Sequence, residues 1–216
     1  MAALGKLERV GHEVGETLEQ VVDETHAQIA HAQTTTGLDN RKLVIWIFIA
    51  SETIFFAALM TTYLVYRSRT PIEEGLGHLN LAVASANTFI LLASSLTMVL
   101  SLQSIERGNR SRMIIFLILT ALLGLTFLAG QVFEYNELLI NGVSIDTNLF
   151  GATFFTLTGF HGSHVFVGVI WITGLIIRAL RGGITPNNHL AVELGGLYWH
   201  FVDLVWVVLF TIIYLI

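Results

Sequence analysis

Apolar and polar positions alternate along this chain on a long scale. Five apolar runs, at about 43–66, 79–103, 113–135, 149–180 and 190–216, are separated by short polar stretches. The stretches include Arg67-Ser-Arg-Thr-Pro71, Glu106-Arg-Gly-Asn-Arg110 and Arg181-Gly-Gly183. A bilayer core takes roughly 20 residues of helix to cross, and every run reaches that length. The runs are continuous and lack the alternation of a membrane barrel strand. The pattern predicts an all-α integral membrane protein: a five-transmembrane-helix bundle spanning residues 42–216.

Residues 1–41 read differently. Leu4, Leu7, Val14, Leu18, Val21 and Ile29 recur at three- and four-residue steps, which predicts an amphipathic helix. Residues 1–40 hold two basic and seven acidic residues, which accounts for the whole net charge of −5, while the rest of the chain is balanced. An acidic face is repelled by anionic lipid, so this extension is expected to dock on a partner subunit or to stay solvated. It has no apolar core of a signal peptide, and its acidity is unlike a transit peptide.

Composition narrows the chemistry. Only 12% of residues are charged and the mean hydropathy is +0.70, half the charge of an average soluble domain. No cysteine is present, which removes disulfides, thioether haem attachment, iron–sulfur clusters and thiolate metal sites. No phosphate loop, nucleophile–base pair or nucleic-acid signature appears. Basic residues beside the spans set the expected orientation. Lys6, Arg9, Arg41, Lys42, Arg107, Arg110, Arg112, Arg178 and Arg181 fall on one side, and Arg67 and Arg69 on the other. That bias places the amino terminus in the cytoplasm and the carboxyl terminus outside.

Ionisable residues at membrane depth each demand a partner or a role. Glu52 lies ~15 Å into the first span by helical rise. His161 and His164 sit one turn apart in the fourth span, and His200 and Asp203 one turn apart in the fifth. Glu134 closes the third span, and Glu193 opens the fifth. Carboxylates and histidines at such spacing build di-metal sites in helical bundles, but Glu134 lies at a different depth from the histidines. The plainer reading is a hydrogen-bonded network fixing the fourth span against the fifth. Glu52 has no cation within a turn on its own helix, so it is expected to be protonated or hydrogen-bonded to a neighbouring subunit. Arg178 and Arg181 read as ordinary interfacial anchors or, as a pair, as a holder of lipid phosphate. Gly159, Gly162, Gly168 and Gly174, with Gly124 and Gly130, are expected to permit close helix packing.

The run Tyr198-Trp-His-Phe-Val-Asp-Leu-Val-Trp206 resembles the signature of cytochrome c oxidase subunit III, as does Gly159-Phe-His-Gly-Ser-His-Val165. Gln131-Val-Phe-Glu-Tyr135, Asn187-Asn-His-Leu-Ala-Val-Glu193 and Ile49-Ala-Ser-Glu-Thr-Ile-Phe-Phe56 extend the likeness in order from residue 43 onward. The resemblance implies a non-catalytic subunit III of a haem–copper terminal oxidase in a bacterial plasma membrane. Its implied partners are oxidase subunit I as the main contact, together with subunits II and IV and membrane lipids. Haems and copper would belong to partner subunits, with structural phospholipids bound here. Implied roles are stabilising the catalytic subunit, supporting proton uptake and giving dioxygen an apolar path. Glu52 matches the family's buried acid facing the catalytic subunit. Arg178 and Arg181 match positions associated with lipid headgroups, and Glu134, Tyr135, His189 and Glu193 are polar members of the motifs.

There are two departures. Mitochondrial-type members have seven helices, and this chain resembles the five-helix bacterial form found also in quinol oxidases. Ser163 stands where an apolar residue is usual, and its hydroxyl is expected to bond back to the helix. An accessory subunit of nitric oxide reductase and an independent di-metal membrane enzyme are the alternative functions.

Overall fold

The computed structural model describes residues 39–67, 79–146 and 149–216; the amphipathic segment expected before residue 39 lies outside them. The chain divides into two units at Val44 and Ile45, and the packing below belongs to the second. Five helices carry it: α1 (Asn40–Arg67), α2 (Leu81–Glu106), α3 (Arg110–Ile140), α4 (Leu149–Leu180) and α5 (Leu190–Phe210). All five are long and apolar enough to cross a membrane, so the expected all-α membrane bundle is what the chain forms.

Each of α2 to α5 packs on its sequence neighbour, and α2 also packs on α5, which closes a ring of four. Helix α1 lies outside the ring, along α4 and α5. It runs antiparallel to α4, since Glu52 meets His164 and Tyr63 meets Phe150. It runs parallel to α5, since Phe48 meets Tyr198, Phe56 meets Phe201 and Arg67 meets Ile212.

One device ends three helices. Gly108, Gly142 and Gly182 adopt positive φ, of 77°, 79° and 84°, a conformation costly for any residue with a Cβ. Beyond each, the chain donates back into the last turn: Asn109 to Ser104 at 2.8 Å, Val143 to Leu138 at 2.9 Å and Gly183 to Arg178 at 3.0 Å. These are the six-to-one bonds of the Schellman turn. After the first, Asn109 immediately caps α3, its side chain accepting from the Arg112 N–H at 3.1 Å. The hairpin between α2 and α3 therefore needs only three residues.

The bounds differ from the apolar runs mainly at α3. The run stops near Tyr135, but the helix continues through Asn136 and Glu137 to Ile140. Glu134 consequently does not close the helix; it lies inside it and is buried. The last span ends in a different winding, as Thr211–Leu215 forms a π-helical turn. The Arg67 guanidinium holds that turn, donating to the Ile212 carbonyl at 2.7 Å.

The helices differ sharply in enclosure. In its most apolar 18-residue window α1 is 6% buried, whereas the last span is 56% buried. Between α3, α4 and α5 sits Trp199, nearly inaccessible. A Cβ on Gly124 would meet its ring at 2.7 Å and one on Gly168 at 2.8 Å, so both glycines are required by the indole. Gly130 and Gly162 are likewise closed off, by Asn87 and Gln131. Gly174 faces open space and Gly159 has only the Tyr135 hydroxyl near it, at 3.8 Å, so the close-packing expectation fits four of the six.

Candidate functional site

Helix α5 distributes its signature residues among its neighbours. The Tyr198 hydroxyl donates to the His164 carbonyl on α4 at 3.0 Å. Trp199 Nε1 donates to Ser94 Oγ and Trp206 Nε1 to Thr88 Oγ1, both on α2 and both at 3.0 Å. His200 Nδ1 pairs with Ser95 Oγ at 2.6 Å. Indole and phenol groups buried in an apolar bundle need such partners. Three of these four bonds reach α2, whose hydroxyls the sequence reading overlooked. The available signal was the recurrence of Ser94, Thr97, Ser101 and Ser104 at three- and four-residue steps, which makes one face of α2 polar.

His161, His164, His200 and Asp203 do not form one network. His161 is fully enclosed and neither ring nitrogen has a hydrogen-bond partner. It serves as a flat aromatic, stacked on Trp206 with centroids 5.0 Å apart and set edge-on to Phe127 at 5.8 Å. His200 turns to α2, and Asp203, mostly buried, leaves Oδ1 without a partner. His164 turns to α1. Spacing placed these residues on neighbouring faces, but the rotation of each helix decides which neighbour each face meets. Among the described residues no group of three or more His, Asp or Glu side chains is placed to hold a metal ion.

A second polar cluster joins α3 to α4. Gln131 Nε2 donates to the Thr158 carbonyl at 2.7 Å and to the Tyr135 hydroxyl at 2.9 Å. That hydroxyl is 2.7 Å from Thr158 Oγ1, which itself donates to the Phe154 carbonyl at 2.7 Å. Since the Thr158 proton is committed to a carbonyl, Tyr135 donates to Thr158. Glu134, from the same motif, faces the other way and accepts from the Tyr214 hydroxyl at 2.7 Å.

At the basic end, Arg178 and Arg181 are exposed around the last turn of α4. The neighbour that binds this helix end is Arg110, whose Nε donates to the Ala179 carbonyl at 2.9 Å and whose Nη2 reaches Leu180 O at 3.0 Å. A cation there satisfies orphan carbonyls and complements the negative end of the helix. His189 precedes α5 and donates from Nδ1 to the Pro186 carbonyl at 2.6 Å, while Glu193 stands in the first turn of α5.

The pair with chemical capacity is Glu52 and His164. Oε2 of Glu52 lies 3.2 Å from Nε2 of His164, and the two side chains are 21% and 18% exposed. Glu52 thus finds its partner inside the chain, on the rim between α1 and α4. His164 Nδ1 is 2.7 Å from the Phe160 carbonyl, which can only accept, so Nδ1 carries a proton. The contact at Nε2 then requires one further proton, shared with the carboxyl group. With that proton the pair can be uncharged overall, either as two neutral groups or as imidazolium and carboxylate. Ser163 bonds back to Phe160 O at 2.6 Å, as its position suggested.

Comparison with known proteins joins these placements to a family. The sequence profile described as "Cytochrome c oxidase subunit III" matches residues 14–216, beginning well before the first span. The cytochrome c oxidase subunit 3 of Bacillus sp. (strain PS3) is 36% identical over 200 residues, covering 91% of this chain and 96% of that protein. The quinol oxidase subunit 3 of Bacillus subtilis (strain 168) is also 36% identical, over 85% of this chain and 90% of its own length. The cytochrome c oxidase subunit 3 of Synechocystis sp. (strain ATCC 27184 / PCC 6803 / Kazusa) is 38% identical, over 82% and 76%. With five spans in place and nearly full-length relatives on either side of the donor divide, this chain belongs to the cytochrome c oxidase subunit III family.

Proposed function

We propose that this subunit III lies against the catalytic subunit of its haem–copper oxidase through the flank formed by α1 and the rim of α4, and that the Glu52–His164 pair keeps a proton there without keeping a charge. The observation that carries the reading is the pair's position: a proton-sharing dyad, still partly open, beside a helix whose apolar surface is largely uncovered. We assign the haems and copper to partner subunits. Subunit I is the main contact, with subunits II and IV nearby. The basic excess at the turns after α2 and α4 supports a cytoplasmic amino terminus in a bacterial plasma membrane, with the carboxyl terminus outside. Exposed Arg178 and Arg181 are positioned for lipid headgroups.

The subunit's work in this reading is to stabilise the catalytic subunit through repeated turnover and to support proton uptake. Replacing Glu52 with Gln keeps the size and hydrogen-bonding capacity but removes the acid, so the proton can no longer pass between the two groups. Purified Glu52→Gln oxidase is expected to keep its subunits and haem spectra while its activity declines faster over many turnovers, or shows a shifted pH dependence. Oxygen consumption over many turnovers indistinguishable from wild type would reduce Glu52 to a packing residue. Copurification of the chain without any haem–copper subunit would remove the wider reading.

A further inference from the structure

A cleft of about 500 Å³ opens where α2 ends and α3 begins. Its polar lining includes Arg107, Asn109 and Arg112, at the helix ends, and its apolar lining is Leu100, Ile115 and Phe116, one to two turns further into the spans. We propose that this cleft binds one anionic phospholipid, with the phosphate between the Arg107 and Arg112 guanidinium groups and an acyl chain along the apolar wall.

Three observations converge on that occupant. The turn carries three arginines, but Arg110 is turned away and spent on the Ala179 and Leu180 carbonyls of α4. Arg107 and Arg112 form no ion pair among the described residues, and the nearest carboxylate in sequence, Glu106, does not line the cleft. Two unspent guanidinium groups flanking the start of α3 are suited to a phosphate, which the positive end of the helix also favours. The apolar wall then separates a lipid from a soluble anion. A free phosphate uses the arginines and leaves Leu100, Ile115 and Phe116 idle, whereas a phospholipid uses both halves at the depth where headgroup meets hydrocarbon. Arg178 and Arg181 do not line this cleft, so the site is separate from the one expected at α4.

The test uses the intact chain in its purified assembly, stripped of loosely held lipid and titrated with dioleoylphosphatidylglycerol or dioleoylphosphatidylcholine, with bound lipid counted by native mass spectrometry. The expected result is one tightly retained phosphatidylglycerol per copy beyond any held at Arg178 and Arg181, weakened by about tenfold or more in the Arg107→Gln/Arg112→Gln variant. The charge-keeping Arg107→Lys/Arg112→Lys variant should restore most of the binding, and circular dichroism should show unchanged helix content in both. Phe116→Ala should weaken retention less, and glycerol 3-phosphate should fail to displace the lipid. Equal retention by wild type and the glutamine variant overturns the proposal. So does phosphatidylcholine binding as tightly, a lysine variant no better than the glutamine one, or displacement by glycerol 3-phosphate, which would make this a site for soluble phosphate.

Discussion

Helices α1 and α5 both belong to spans long and apolar enough to cross a membrane, yet they are held in opposite ways. Helix α5 is enclosed, and its signature residues reach out by directional bonds, one to α4 and three to α2. Helix α1 buries only Phe56 and Tyr63 among its 28 residues. It is attached along one edge, by aromatic contacts, the Glu52–His164 pair and Arg67. In a bilayer apolar surface alone gives little drive for helices to associate, because lipid is equally apolar; packing and polar contacts decide. Helix α5 has both kinds of contact in full, and α1 has enough to stay in place with most of its surface free. Polar residues on α5 therefore build the subunit, and the residues of α1 are the ones offered to whatever lies outside it.

That contrast breaks first at Trp199. Trp199→Ala empties the space between α3, α4 and α5 and should cost about 3–5 kcal/mol, seen as a large drop in the midpoint of unfolding in detergent and in yield of assembled oxidase. Adding volume at the same place comes next. Gly168→Ala pushes a methyl group into the indole and should cost ~1–3 kcal/mol, while Gly174→Ala, six residues along on the open face, should leave the midpoint unchanged or slightly raised. Equal midpoints for the two alanine variants would mean that the indole can step aside. Smaller still is Trp206→Phe, which deletes the bond to Thr88 but keeps most of the stacking on His161; a loss of ~0.6 kcal/mol is the usual scale for such a bond between membrane helices. At the end of the series stands Ile54→Ala on α1. Ile54 is 73% exposed, so the isolated subunit should unfold as wild type does. A measurable fall in retention of the subunit by the oxidase during detergent washing would show that a protein surface covers it, whereas no fall would assign that face to lipid.

The sequence carried the spans well because a run's length and apolarity are local quantities. It misplaced the end of α3 because Asn136 and Glu137 look like an exit from the membrane, while the actual stop is the left-handed turn at Gly142. Burial of Glu134 was invisible because its cover, Tyr214, comes from a π-helical turn 80 residues later. The polar residues of α4 and α5 were recognisable one by one. Their partners were not, because helical spacing gives the angle between two side chains and says nothing of how the helix is rotated against its neighbours. Glu52 carried one usable hint: a carboxyl group well inside its span with no cation within a turn needs a partner from another helix, and the histidines of α4 are candidates for it.

The cluster of Gln131, Tyr135 and Thr158 bears on how protons travel in such a protein. Its hydrogens all point one way, from the Gln131 amide to the Tyr135 hydroxyl, on to the Thr158 hydroxyl and into the Phe154 carbonyl. An amide does not release its proton under physiological conditions, and a backbone carbonyl cannot hand one on. The row resembles a water wire in its spacing and is blocked at both ends. It acts as an insulated strut between α3 and α4 and cannot relay a proton along its length.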